Sequence, residues 1–134
     1  MIIGNVMLTV LMLSLVALSG LNVTLADVVY SQDNVTVVFH YSLDPFQKIN
    51  AFLFGCDDVG NVVLSLLSNS TDFKIVKVDS THAVLEFNII NEGDYYYFQG
   101  VNLTTPLPIR ININNSIMFQ INDSTRIPEM YVFK

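Results

Sequence analysis

Residues 88–100 read NIINEGDYYYFQG, a polar, turn-like cluster of Asn, Glu, Gly and Asp that runs at once into three tyrosines and a phenylalanine. Gly and Asp side by side favour a chain reversal, and consecutive aromatic residues favour a strand. Side chains alternate between the two faces of a strand, so Tyr95 and Tyr97 share one side while Tyr96 and Phe98 share the other.

Stretches on both sides of this one carry the same period of two. NVTVVFHYS (34–42) places Val35, Val37, Phe39 and Tyr41 on one face, and AVLEFNII (83–90) alternates Leu85, Phe87 and Ile89. FKIVKVD (73–79) reads as a further strand. Ile109, Ile111 and Ile113 alternate in one late segment, and Ile117, Phe119 and Ile121 in the next. INAFLFGC (49–56) and NVVLSLLS (61–68) are dense in aliphatic and aromatic residues and are also expected as strands. No stretch after residue 26 shows capped helical periodicity. Short strands separated by turn signals predict an all-β fold, a sandwich or a barrel.

LEFNIINEGDYYY resembles the pattern around strands E and F of the immunoglobulin superfamily, with Asn91 in the acidic slot, Gly93 in the glycine slot and Tyr95 as the corner tyrosine. VTVVFHYS resembles that family's strand B, with Phe39 where the family has its first cysteine and Tyr97 where it has the second. Phe52 stands near the place of the strand C tryptophan, with Phe54 as the alternative. The resemblance spans Asp27 to about Ile121 as a strand layout. It implies a V-like antiparallel sandwich of two sheets that lacks the inter-sheet disulfide. It also implies a core containing Phe39, Phe52, Leu85, Phe87, Tyr95 and Tyr97, with Phe39 facing Tyr97 across the sheets. The outward side of strands G, F and C is a docking face in that family, and Leu53, Tyr96 and Phe98 would lie on it. They are the expected partner-binding residues.

The 134 residues, just over half of them hydrophobic, suit one domain. Residues 1–26 hold no Asp, Glu, Lys or Arg, and the densest apolar run, Val6–Leu18, is shorter than the about 20 residues a membrane span needs. A signal peptide over 1–26 is expected, cut before Asp27 with Thr24 and Ala26 as the small residues at minus three and minus one; an uncleaved anchor is the alternative. The domain then covers 27–122 and a C-terminal tail covers 123–134. The secreted chain would have no membrane span. Five N-glycosylation sequons lie beyond the leader, at Asn34, Asn69, Asn102, Asn114 and Asn122. A sixth, at Asn22, would leave with it.

With a formal charge of -6 and only six scattered basic residues, nucleic acid is not an expected partner. The one cysteine, Cys56, cannot form an internal disulfide; it reads as a buried free thiol or an exposed thiol that pairs between chains. His40 and His82 lack metal-ligand spacing, Asp57, Asp58, Glu92 and Asp94 read as solvated turn carboxylates, and no catalytic or phosphate-binding motif occurs. No enzyme, cofactor or metal is expected. Two roles remain: a secreted, glycosylated recognition module that binds an extracellular or cell-surface protein or a second copy of itself, or a small extracellular carrier holding an apolar ligand in an aromatic interior.

Overall fold

A computed structural model describes residues 22–31, 34–68 and 72–134. The described chain is mostly β, with two sheets and two short helices, as suits an all-β sandwich. In chain order the elements are β1 (Asn22–Tyr30), β2 (Asn34–Ser42), α1 (Pro45–Phe54), α2 (Asp57–Leu64), β3 (Phe73–Val78), β4 (His82–Asn88), β5 (Ile90–Asn91), β6 (Tyr95–Phe98), β7 (Val101–Ile113), β8 (Ile117–Ile127) and β9 (Met130–Phe133).

The larger sheet has the order β3-β4-β2-β1-β7-β8, and the smaller has β5-β6-β9. β1 is an interior strand, antiparallel to β2 and parallel to β7. The alternation read in the sequence governs the larger sheet. Val35, Val37, Phe39 and Tyr41 of β2, Leu85 and Phe87 of β4, and Ile109 and Ile111 of β7 are all buried on one side. Val59, Val63 and Leu66 from the helical segment, and Phe98 from the smaller sheet, join the same core cluster. One face of the six-stranded sheet is thus covered by α2 and by β6.

Four expectations are corrected. Residues 49–56 and 61–68 are largely helical, not strands. Asp44 caps α1: its carboxylate accepts from the Gln47 amide at 2.7 Å, and the Gln47 side chain accepts from the Asp44 amide at 2.9 Å. This reciprocal capping box, with Pro45 in the first turn, starts a helix in an apolar run whose periodicity alone does not choose between helix and strand. Phe52 therefore leaves the core and is 89% exposed.

Residues 123–134 are not a tail. β8 runs through to the fully buried Ile127, and β9 pairs with β6 in register from Tyr95↔Phe133 to Phe98↔Met130. At the other end, residues 1–21 lie outside the described residues, whereas 22–26, expected in the leader, form the first half of β1.

The fourth correction concerns the aromatic strand. Its parity holds but its sense is reversed. Phe98 is the buried member, and its ring packs edge-on against Tyr30 and Phe87. Tyr95 and Tyr97 lie on the opposite side of β6, half-exposed. Tyr97 stacks on Tyr131 at 4.8 Å and donates its hydroxyl to Glu129 at 2.9 Å, outside the cluster that holds Phe39.

Candidate docking surface

The three residues expected to share one docking face are separated: Leu53 is exposed on α1, Tyr96 is half-buried on β6 beneath the Lys134 ammonium, and Phe98 is in the core. What replaces that face is α1 itself. Gln47 turns into the protein and Ala51 packs against the core, leaving Phe46, Ile49, Phe52, Leu53 and Phe54 exposed. Phe46, Ile49 and Leu53 follow the three-and-four spacing of one helix face, with Phe52 and Phe54 beside it. Gly55 ends the helix at φ 83°, and its amide bonds back to the Ala51 carbonyl at 2.9 Å.

Lys48 is the only charged residue of α1. A ten-residue helix that turns five large apolar side chains to solvent is unusual, because amphipathic surface helices point such residues at the core. The sequence signal was present in Asp44-Pro45-Phe46-Gln47, the capping pattern that precedes the apolar run.

A second aromatic surface lies on the smaller sheet. Tyr95 meets Tyr131 at 5.4 Å and Phe133 at 5.8 Å, both edge-on, continuing the Tyr97–Tyr131 contact as a cross-strand ladder. The hydrogen bond to the Glu129 carboxylate raises the Tyr97 hydroxyl above its ordinary pKa.

The open face of the larger sheet mixes charged residues with aliphatic ones, Asp27, His40 and Arg110 among Val29, Val38 and Val84. The Arg110 guanidinium donates to the Asp27 carboxylate at 2.6 Å, and His40 approaches the same carboxylate at 3.9 Å. His40 pairs in register with His82, whose ring lies 3.2 Å from Asp79. Burial opposes ionisation of Asp79. The backbone amides of Thr81 and His82, the Thr81 hydroxyl and the nearby His82 ring outweigh it, and they hold the carboxyl well below the usual carboxylate range. This constellation closes the β3–β4 hairpin. Among the described residues no group of three or more His, Cys, Asp or Glu is placed to hold a metal ion. Cys56 is a free, half-buried thiol at the start of α2, in a groove shared with Gly60, Leu64, Ile75 and Val78.

Of the sequons, Asn102, Asn114 and Asn122 are exposed on β7, on its turn to β8 and on β8. Asn34 is half-buried, and its amide donates to Glu86. Asn69 lies outside the described residues. Among the described residues no helix is long and apolar enough to cross a membrane. The chain matches no protein-family model, and neither a curated protein nor a solved structure is significantly similar to it.

Proposed function

We propose that this chain is a secreted, N-glycosylated recognition module of immunoglobulin-like design that works by binding an extracellular or cell-surface protein, with α1 as its docking surface. The carrying observation is the exposed apolar face of α1, whose aromatic members Phe46, Phe52 and Phe54 are the residue types that anchor protein interfaces. No sequon falls within residues 45–64 of the helical segment, and the exposed ones at Asn102, Asn114 and Asn122 lie on β7, on its turn to β8 and on β8. Support for the immunoglobulin-like design comes from four adjacent strands. The order β3-β4-β2-β1 corresponds to the D-E-B-A sheet of that family, and α1 and α2 occupy the stretch between β2 and β3 where strand C would run.

The test is a double substitution, Phe52→Ser with Phe54→Ser, in protein purified from culture medium. Both residues are exposed, so the melting temperature should stay nearly unchanged, while saturable, protease-sensitive binding to cells weakens by about thirtyfold or more, the loss expected of anchor residues. Cell binding that survives the double substitution refutes docking through α1. A dimer that falls apart in the variant would make a second copy the partner.

A further inference from the structure

The first half of β1 cannot be spared from the folded domain. Asn22 pairs with Ser42, Val23 with Tyr41, Leu25 with His40 and Ala26 with Phe39, and Ala26 also pairs with Ile109 of β7. Ala26 has no exposed surface, Val23 packs against the core, and the Thr24 hydroxyl donates to the His40 carbonyl at 3.1 Å. A cut before Asp27 would remove the partner of β2 along Phe39–Ser42. It would leave backbone N–H and C=O groups unpaired beside a buried core.

The residues at minus three and minus one of such a cut, Thr24 and Ala26, are small for structural reasons: Ala26 is enclosed between two strands and Thr24 satisfies a carbonyl. A second pair of small residues, Ala17 and Ser19, stands at the end of the apolar run Val6–Leu18. That pair suits a cut after Ser19 and leaves all of β1 in the mature chain.

Retaining β1 retains Asn22-Val23-Thr24, a sequon with a non-proline middle residue. Asn22 opens β1 with its side chain exposed, and among the described residues its amide reaches only the exposed Ser42 hydroxyl, at 3.4 Å. A sugar there displaces nothing from the core. We propose that the leader is removed amino-terminal to Asn22, after Ser19, and that Asn22 is an N-glycan acceptor of the mature protein. The inference rests on the secretory reading above.

The experiment is peptide mass spectrometry of the full chain recovered from the medium of a eukaryotic host, before and after enzymatic release of N-glycans. The expected N-terminal peptide begins at Gly20, with Asn22 converted to Asp by glycan release. In parallel, Asn22→Gln should remove one glycan step from the gel ladder without moving the N-terminus. A peptide beginning at Asp27 overturns the proposal and leaves secretion intact. So does a glycosylated chain that begins at Met1. An upstream cut with Asn22 unmodified overturns the acceptor assignment. A chain beginning at Met1 with no sugar on any sequon overturns the secretory reading itself.

Discussion

Tyr30 of β1 and Phe98 of β6 meet edge-on, with ring centroids 5.6 Å apart at 73°. One ring belongs to the six-stranded sheet and the other to the three-stranded sheet, so this contact is where the two sheets share a core. Phe87 completes it, 6.0 Å from Phe98. Burial pushes the Tyr30 hydroxyl up from its ordinary pKa, and that hydroxyl donates to the Pro128 carbonyl at 2.9 Å just before β9. Phe98→Ala should therefore cost about 3–5 kcal/mol in urea unfolding, as truncation of a buried aromatic does. Tyr97→Ala, one residue away on the open side, should cost clearly less. Equal losses at the two positions would mean that the smaller sheet does not pack as described.

Gly100 joins β6 to β7 at φ 84°. A Cβ there would lie 2.7 Å from the Ile127 carbonyl oxygen and 2.9 Å from the Glu129 amide, both of them backbone atoms that cannot step aside. Gly93 has a similar φ of 92° but open space around it. Gly93→Ala should cost about 1–2 kcal/mol, from the left-handed backbone alone. Gly100→Ala should lower the melting temperature further, because it adds the clash to the same strain.

Asp79 predicts an acid-side dependence of stability. Its folded pKa lies below the unfolded value, so its contribution is complete above about pH 4 and falls away as the pH drops toward the folded value. Melting temperatures of wild type and Asp79→Asn should be furthest apart near neutrality and converge as the pH falls below about 4. A gap that stays constant down to pH 3 would show that the ionised carboxylate is not what the hairpin turn requires.

Asp44→Ala removes one half of the capping box of α1 and should cost about 1 kcal/mol of stability. Unlike the Phe52 and Phe54 substitutions, it should lower both the melting temperature and cell binding, because it frays the helix that carries the docking face. Binding retained at full strength in a chain with a loosened α1 would place the interface on another element.

The alternations were legible in the order of the residues alone. Val35, Val37, Phe39 and Tyr41, Leu85 with Phe87, and Ile109 with Ile111 are buried as their period of two requires, because apolar side chains on every second residue leave a sheet only one face to bury. The parity within Tyr95–Phe98 was legible for the same reason. Its sense was not, since a period of two says which residues share a side and nothing about which side is covered. That was decided by Tyr30 and Phe87, which enclose Phe98, and by β9, a partner distant in sequence whose Tyr131 and Phe133 stack with Tyr95 on the other face.

The apolar run 49–54 was ambiguous in the same way, because density without alternation suits a buried strand as well as a helix. The reciprocal Asp44–Gln47 cap settled its local form, and tertiary packing settled which side faces in. Ala26 shows the limit most plainly. A small residue satisfies a leader protease and an interior strand position equally well, and only its pairing with Phe39 on one side and Ile109 on the other assigns it to the fold.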